Sequence, residues 1–406
     1  MTAPPGKTDS LAFTCLLGLM ATLPGFGTDM ALPALADTAT SLAVPVHSAG
    51  LTISSYMISF GLAPLAFGPL SDRYGRKPVV TLGTIIFIIA SVGCALAPSL
   101  PALIACRIIQ GIGAAAMTLA IAIARDTFDD TVVRQKLSSI VMAIYVSPIA
   151  APMAGAALLE LAGWRAIYAS LAALGILLLT GLRFGPDNGL KPRSATRLSL
   201  RTLVGDYRCV LSHPTCRAYL LAAAASFGVV AAYATGSALF LVQVAGLSST
   251  RYGIIFGLTA LAGMAGAFLD GRLNAWGVPS HYSLSIGFTI QALASTVLLA
   301  MTFLNWTPTT VVVLLFVAIT FSGGIGAPGL MQGALQQLPK MAGTVSAAVN
   351  CLIMVSGSLS SALTAVLFDG RTSLSMAGVM EFCSLLALLF FGMAMGRARQ
   401  QAVMPS

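Results

Sequence analysis

Apolar residues follow one another in long runs along this chain, and short polar stretches separate the runs. A helix needs about 20 predominantly apolar residues to cross the hydrocarbon core of a bilayer. Runs of this length predict an all-α membrane protein with twelve spanning helices, near residues 11–33, 49–70, 79–97, 102–124, 137–161, 165–184, 216–243, 252–271, 283–303, 308–330, 342–368 and 375–396.

The spacing of these runs divides the chain in two. The connections are short except for the polar stretch 185–215, which contains Pro186 and Pro192. It separates six predicted helices from six others, as expected for a transporter built from two structural repeats. The pattern therefore predicts an N-terminal six-helix half over 1–184, a cytoplasmic linker over 185–215 and a C-terminal six-helix half over 216–406.

The first run also has features of a cleavable signal peptide. Lys7 precedes the apolar stretch, and Ala34-Leu35-Ala36 resembles the Ala-x-Ala pattern of a cleavage site. However, Asp29 interrupts the run, and many further apolar runs follow it. We therefore interpret this segment as the first membrane helix.

The composition excludes several classes of protein. Hydrophobic residues make up 57% of the chain and charged residues 9%, whereas a typical globular domain has about 25% charged residues. A soluble enzyme, a nucleic-acid-binding protein and a disordered scaffold would all need more polar surface than this. The lipid bilayer is therefore the expected surrounding of the protein.

The distribution of basic residues predicts the orientation in the membrane. With the N-terminus in the cytoplasm, 18 of the 22 lysines and arginines fall in inner loops and tails, three fall in outer loops, and Arg107 lies within a helix. Cytoplasmic loops of membrane proteins carry such an excess of positive charge. A multi-pass protein of the inner membrane with both termini in the cytoplasm is predicted, and the net charge of +9 needs no nucleic acid to explain it.

Patterns that would hold a metal or a nucleotide are missing from the sequence. The seven cysteines include no Cys-x-x-Cys pair and the three histidines are scattered, which argues against a metal site or a disulfide framework. The glycine-rich stretches 111–113 and 323–328 lack the lysine of a phosphate-binding loop. We expect no cofactor, and an ion gradient or the substrate's own gradient as the source of energy.

Four ionisable side chains fall within predicted membrane helices: Asp29, Arg107, Glu160 and Glu381. A charge at membrane depth costs several kcal/mol and indicates a functional site. Arg107 lies six residues after Pro101, about 9 Å into its helix, and Asp29 lies four residues before Pro33, about 6 Å from the same face. Opposite charges at similar depth can share the cost of desolvation, so a pair of Asp29 and Arg107 is predicted.

Asp29 is the candidate proton site among these four. Burial disfavours the charged form of a carboxylate, so such a group can exchange a proton near neutral pH; the alternative is a helix-end residue that reaches interfacial water. Arg107 keeps its proton, either as the positive partner of that site or as a structural donor to backbone carbonyls. For Glu160 the alternative to a functional role is a position at the membrane interface. For Glu381 the alternative is a side chain that faces a water-filled crevice.

The loop between the second and third predicted helices resembles the signature of the major facilitator superfamily. Residues 68–78 read GPLSDRYGRKP and match every defined position of G-x-L-x-D-R-x-G-R-K. The first glycine allows close contact with another helix, and the aspartate can accept from a helix N-terminus. Residues 266–277 are a weaker echo without the basic cluster. In the family this loop latches the outward-facing state, a role that the resemblance assigns to Gly68, Asp72, Arg73, Gly75, Arg76 and Lys77.

Two further segments are similar to motifs of the same superfamily. Residues 103–115 place Arg107 in a pattern like the second motif, whose arginine is implicated in proton coupling. Residues 147–155 read SPIAAPMAG and resemble the antiporter motif of drug exporters, with Ser147 and Ala151 in place of two glycines. The resemblance assigns to Pro148, Pro152 and Gly155 a role in limiting proton leak through close packing and kinking of the helix. The alternative is plain helix packing without such a role.

Other marks are typical of one branch of that superfamily. The sequences TDMALPAL at 28–35 and GWR at 163–165, together with the A-P-x-x-G form of the antiporter motif, resemble the bicyclomycin/chloramphenicol-resistance (Bcr/CflA) drug:proton antiporters. The resemblance covers nearly the whole chain and implies two pseudo-symmetric six-helix halves. It also puts Asp29 on the acidic position of the family.

These features predict a secondary active transporter, not an enzyme, that exports small amphipathic compounds in exchange for protons by alternating access. The alternatives are export of an endogenous metabolite, and a proton-independent facilitator or receptor. The protein is expected to work as a monomer. Aromatic side chains suit a tolerant apolar pocket for a small molecule, and those expected at the substrate cavity are Tyr56, Phe60, Tyr145, Phe227 and Tyr233.

Overall fold

Twelve helices long and apolar enough to cross a membrane occur in the described part of the protein, as the hydrophobic runs predicted. The computed structural model describes residues 11–128, 130–184 and 200–403, except for the side chains of 72, 130, 131, 134, 184, 200–203 and 398–403. The α-helices are α1 (Leu11–Asp29), α2 (Leu35–Ser41), α3 (Val46–Leu62), α4 (Pro64–Tyr74), α5 (Arg76–Leu96), α6 (Leu100–Ala115), α7 (Ala120–Thr127), α8 (Asp130–Ala162), α9 (Trp164–Phe184), α10 (Leu200–Ser212), α11 (Pro214–Ala238), α12 (Ser249–Ala275), α13 (Ser280–Phe303), α14 (Thr309–Gln337), α15 (Ala342–Val366) and α16 (Leu374–Val403).

Three of the spans consist of two helices each. Helices α1 and α2 form the first span, α3 and α4 the second, and α6 and α7 the fourth. A 3-10 turn joins the two helices of the first span at Leu32–Ala34 and those of the fourth at Ala116–Leu119. A π-helical segment, Leu239–Val244, extends α11. The other spans contain one α-helix each.

The first span is longer than its sequence predicted. It runs over Leu11–Ser41, because Pro33 lies at the start of a 3-10 turn, where its missing N–H is not needed. The predicted end of the first span at Pro33 is therefore wrong, because the chain continues through α2 to Ser41, twelve residues after Asp29. The depth of Asp29 in the membrane stays a prediction.

The predicted linker contains a helix that the sequence analysis did not foresee. Residues 185–199 of the linker lie outside the described part, and α10 follows directly. Helix α10 packs against α11 and α15, and its Val210 side chain is buried in the core beside Cys216. The apolar spacing of Leu200, Leu203 and Val204 with Val210 and Leu211 is helical, but the charges and prolines nearby favoured a linker.

Packing divides the chain into two compact units. The first comprises the described parts of Met1–Val44 and Ser55–Leu198, and the second those of Pro45–Ser54 and Ser199–Ser406. In the first unit, α1 packs against α8 and α9, and α5 packs against α6 and α9. In the second, α11 packs against α14, α15 and α16, while α13 packs against α14 and α16.

Glycines allow very close approach of helices within each unit. A Cβ added to Gly113 of α6 would lie 2.5 Å from the backbone nitrogen of Phe87 in α5. A Cβ added to Gly324 of α14 would lie 2.0 Å from the carbonyl oxygen of Gly263 in α12. Such contacts hold membrane helices together by close packing, since lipid provides no hydrophobic driving force between them.

Candidate functional site

Arg107 of α6 is fully buried inside the first unit. Its Nη1 donates to the carbonyl oxygen of Gly27 and to Oε1 of Gln110, each at 2.7 Å. Gly27 lies in the last turn of α1, where the backbone carbonyl groups have no N–H donor within the helix. The helix dipole also favours a cation at this end. Arg107 therefore binds the C-terminal end of the helix that carries Asp29.

Two aromatic rings pack against the Arg107 guanidinium. Its carbon lies 4.3 Å from the centroid of the Tyr56 ring and 5.7 Å from that of the Tyr168 ring. The Tyr56 hydroxyl donates to the carbonyl oxygen of Pro24 in α1 at 2.9 Å. A cation over a desolvated ring face gains about 2 kcal/mol, so the rings compensate part of the cost of burying Arg107.

A chain of hydrogen bonds continues from Arg107 towards α5. Gln110 Nε2 donates to Ser91 Oγ at 2.7 Å, and Ser91 Oγ donates to the carbonyl oxygen of Phe87 at 2.7 Å. The chain fixes the amide of Gln110 so that its oxygen faces Arg107. Sequence reasoning did not select Gln110 as a site residue, although its position three residues after Arg107 puts both on one helix face. Ser91 and Tyr168 come from distant segments and carry no such signal.

Asp29 is the last residue of α1 and is half-buried. Arg107 binds the carbonyl oxygen of Gly27, two residues before Asp29 in the same helix, and the direct pair of the two charges stays a prediction. Tyr56 is bound to the same helix, since its hydroxyl donates to the carbonyl oxygen of Pro24. The guanidinium and the phenol are therefore both hydrogen-bonded to the last turns of α1, the helix that ends at Asp29, and Arg107, Tyr56 and Asp29 form one cluster at this helix end.

The antiporter motif of α8 packs along α1. Ser147 Oγ donates to the carbonyl oxygen of Thr22 at 3.3 Å, and a Cβ added to Gly25 would lie 2.7 Å from the same Oγ. Further along, a Cβ added to Gly155 would lie 2.1 Å from the carbonyl oxygen of Met30. The small residues of the motif therefore set the distance of α8 from the helix end that carries Asp29.

The two prolines of this motif lie inside a continuous α-helix. Helix α8 runs through both Pro148, which is half-buried, and Pro152, which is buried. Ala151, which replaces a motif glycine, is also fully buried. The segment therefore packs within the first unit, and its role in limiting proton leak stays a prediction.

Replacing Gly155 with alanine is expected to destabilise the protein. The added methyl group must displace the backbone at Met30, and overpacking costs about 1–3 kcal/mol, which exceeds the gain of about 1 kcal/mol that alanine brings to a helix. The measurement is the thermal unfolding midpoint of the purified protein. Gly392→Ala in α16 is the matched control, since a Cβ there meets no described atom within 4 Å. Equal midpoints in the two variants would contradict the packing role of Gly155.

The loop of the superfamily signature is partly organised around Arg76. Arg76 Nε lies 3.2 Å from Asp126 Oδ2 in α7, and Arg76 Nη1 donates to Ser71 Oγ. Gly75 separates α4 from α5 with a φ of +92°, which L-residues with side chains rarely adopt. The sequence analysis did not select Asp126. Its position at the end of the fourth span is the feature that could have identified it as a partner of Arg76.

The other latch residues have different surroundings. Arg73 is exposed and lies over the ring of Tyr74, 5.2 Å from its centroid, and Lys77 is half-buried. A Cβ added to Gly68 would meet no described atom within 4 Å, so the prediction of a close helix contact there is wrong for this arrangement. The side chain of Asp72 lies outside the described part. In the weaker echo, Asp270 is buried and accepts from Ser283 Oγ at 2.7 Å.

The aromatic residues expected at the substrate cavity fall into different environments. In the first unit Phe60 is half-buried and stacks on Tyr56 with ring centroids 6.0 Å apart, while Tyr145 is exposed. In the second unit Phe227 is half-buried. Tyr233 is buried between Phe256 and Phe316, with centroids 5.5 Å and 4.8 Å away. The structure thus brings Tyr56 and Phe60 to the Arg107 cluster.

The two other acids in predicted membrane helices, Glu160 and Glu381, have different surroundings. Glu160 is exposed near the end of α8. Glu381 of α16 is half-buried, and its Oε1 accepts from Thr296 Oγ1 of α13 at 3.0 Å.

Comparisons with known proteins agree with this fold. The sequence matches the profile of the Major Facilitator Superfamily over residues 17–361. It is 32% identical to a chloramphenicol resistance protein of Pseudomonas aeruginosa, covering 84% of this chain and 81% of the relative. It is 26% identical to a bicyclomycin resistance protein homolog of Haemophilus influenzae, covering 95% and 96%.

The solved structures include a bacterial homolog of the human lysosomal transporter Spinster, with a TM-score of 0.78 at 17% identity and coverage of 97% of this chain and 98% of that one. This likeness concerns the fold alone, while the family profile and the relatives agree with the branch that the motifs predicted. The protein is thus a multi-pass membrane protein of a transporter family rather than an enzyme, and the chain belongs to the Major Facilitator Superfamily.

Proposed function

We propose that the protein is a secondary active transporter that exports small amphipathic compounds, including drugs, in exchange for protons by alternating access. The observation that carries this proposal is the cluster of Arg107, Tyr56 and Asp29. A permanent cation bound to the end of the helix that carries a membrane-depth carboxylate is a suitable device for coupling proton exchange to movement of that helix. The names of the relatives, resistance proteins against chloramphenicol and bicyclomycin, support the class of substrate.

Each residue of the cluster has a separate task in this mechanism. Asp29 takes up a proton from one side of the membrane and releases it to the other. Arg107 stays charged, holds the end of α1 through Gly27, and favours the ionised form of a carboxylate that comes close to it. Protonation of Asp29 removes a negative charge that acts on Tyr56 and on a cationic substrate, so that the substrate is released.

The membrane and the orientation belong to the same proposal. The excess of basic residues in one set of loops supports both termini in the cytoplasm, and the bacterial relatives support the inner membrane. We propose a monomer as the transporting unit, because each six-helix repeat contributes to one substrate pathway in transporters of this construction.

The direct test of antiport is proton release by the purified protein. In weakly buffered detergent solution, addition of chloramphenicol or another amphipathic resistance compound is expected to lower the pH as substrate displaces protons. A compound too polar to enter an apolar cavity serves as the control. The proposal fails if no compound of the amphipathic class releases protons at any pH around neutrality.

The same measurement distinguishes the alternatives. A proton-independent facilitator would move the compound down its own gradient in liposomes and release no protons. An exporter of an endogenous metabolite would release protons with that metabolite but not with resistance compounds. The first outcome would overturn proton coupling but not the class of substrate. The second would overturn the class of substrate but not proton coupling.

A further inference from the structure

A long apolar groove runs along the second unit between α15 and α16. Its volume is about 810 Å³, which is in the range of sites that hold small molecules. Helix α11 forms the floor through Leu221, Ala224 and Ala225. From Leu352 to Leu363 the α15 wall is eleven residues long, about 16 Å, which is comparable with the roughly 15 Å of hydrocarbon in one leaflet.

Short side chains explain why the helices leave this space unfilled. Ala224 and Ala225 on the floor, and Ser356, Ser360 and Gly378 on the walls, are all small. A Cβ added to Gly378 would meet no described atom within 4 Å. Larger residues at the same positions would close the groove by ordinary packing.

The rim of the groove is exposed and apolar. Leu359 of α15 is 59% exposed and Phe382 of α16 is 61% exposed, and both line the groove. Within the described residues, the groove therefore opens to the surface of the second unit, between two helices that are long and apolar enough to cross a membrane.

Polar groups lie at one end of the groove. The Ser375 side chain lines the end near the loop between α15 and α16, and its Oγ is buried with no hydrogen-bond partner among the described residues. The carboxylate of Asp369 lies in the same loop and also lines the groove. Deeper in the groove, Ser360 Oγ and Cys383 Sγ are already paired at 3.4 Å. The site is therefore amphipathic, with a long apolar body and one polar mouth.

The charges at the mouth have both signs. Desolvation acts to raise the pKa of Asp369, but hydrogen bonds from the Thr372 hydroxyl and from the backbone N–H groups of Arg371 and Thr372 outweigh it and hold that pKa below its usual value. Asp369 is therefore ionised at neutral pH. The exposed Arg371 lies two residues further along the same loop, so the loop at the mouth carries one anion and one cation.

We propose that this groove binds the acyl chain of a membrane lipid with a zwitterionic, amine-bearing headgroup, a phosphatidylethanolamine, from the leaflet next to the α15–α16 loop. The acyl chain fills the apolar body, the ammonium group donates to Asp369 and the phosphate pairs with Arg371. An ammonium donates hydrogen bonds, whereas a choline headgroup cannot donate and a glycerol headgroup has no cation for Asp369.

The test is lipid binding to the intact protein, measured by native mass spectrometry. The protein is delipidated in mild detergent and mixed with equal amounts of phosphatidylethanolamine, phosphatidylcholine and phosphatidylglycerol with matched acyl chains. The wild type is expected to retain phosphatidylethanolamine over the other two by roughly tenfold, as for the loss of one charge-assisted hydrogen bond. Equal retention of all three lipids would overturn the assignment of the headgroup and with it the proposal.

Two variants locate the lipid in the groove. Gly378→Phe fills the space and is expected to lose the bound phosphatidylethanolamine, while Gly392→Phe, on the same helix and in open space outside the groove, is expected to keep it. Asp369→Asn leaves the groove open and is expected to retain a lipid but without preference for the amine. If Gly378→Phe does not fold, the loss of preference in Asp369→Asn decides, and an unchanged preference there overturns the proposal.

A competition experiment separates a lipid from a transported substrate. A cationic amphipathic compound without acyl chains, such as tetraphenylphosphonium, is expected to leave the bound phosphatidylethanolamine in place. Displacement in proportion to the added compound would show that the groove is a substrate site instead. The outcome does not depend on proton coupling, so the lipid site and the proposed transport function stand or fall separately.

Discussion

Replacing Asp29 with asparagine is expected to abolish efflux driven by a pH gradient while the protein remains folded. Asparagine has the size of aspartate but no exchangeable acidic proton, so the step that couples transport to the gradient is lost. The half-buried position of Asp29 at the end of α1 can accept a neutral amide at no cost in desolvation. The measurement is efflux of an amphipathic compound from proteoliposomes with an imposed pH gradient, and the expected rate is that of protein-free liposomes.

Asp37→Asn is the matched control for this experiment. Asp37 lies in α2 of the same span and is exposed, so the same chemical change there should leave pH-driven efflux at the wild-type rate. Downhill movement of the compound without a pH gradient reports whether Asp29→Asn still cycles. If Asp29→Asn responds to the pH gradient as the wild type does, Asp29 is not the proton site.

Replacing Arg107 with lysine is the second change with a large expected effect. A lysine ammonium is a compact point charge and cannot bind the Gly27 carbonyl and Gln110 while its cation stacks on Tyr56, as the planar guanidinium does. Loss of one charged hydrogen bond costs about 1.5–3 kcal/mol, and weaker ring contact adds to it. We expect transport to slow by at least roughly tenfold and the thermal unfolding midpoint to fall.

Arg165→Lys provides the comparison for Arg107→Lys. The Arg165 guanidinium also packs over a ring, 4.2 Å from that of Trp164, and donates to the Ala97 carbonyl at 3.2 Å, but Arg165 lies at the exposed start of α9. An exposed arginine contributes far less than a buried one, so this variant should transport nearly as the wild type does. Similar losses in both variants would show that burial at the end of α1 gives Arg107 no special role.

The twelve spans could be predicted because each depends only on a local run of apolar residues. The end of the first span could not be predicted in the same way, since a proline such as Pro33 is compatible with two structures. A proline ends many helices, but it also fits the first turn of a new helical segment, and Pro33 lies in the 3-10 turn Leu32–Ala34. The linker helix α10 was missed for a similar reason, because its charges concealed a helical spacing of apolar residues.

The residues around Arg107 show which contacts cannot be predicted from local patterns in the sequence. The motif and the charge within a predicted membrane helix both identified Arg107 as a site residue. Tyr56 was one of the aromatic residues expected at the substrate cavity. Tyr168 and Ser91 reach the site through the packing of α9 and α5, which no local pattern encodes. Gly27 has no side chain at all and contributes through its carbonyl oxygen.

The main-chain partner of Arg107 has a consequence for how this transporter can change by mutation. A side-chain partner disappears with one substitution, whereas any residue at position 27 would still supply a carbonyl. However, a Cβ at that position would lie 2.6 Å from the Tyr56 hydroxyl oxygen, so glycine is needed to keep the carbonyl and the Tyr56 ring in place together. Variants that alter coupling through this contact should therefore map to positions that shift the helix end, such as Pro24 within α1 or Pro33 in the turn after it. Evolution would therefore change the coupling of this transporter by altering the geometry of this helix end, rather than by exchanging one partner residue of Arg107 for another.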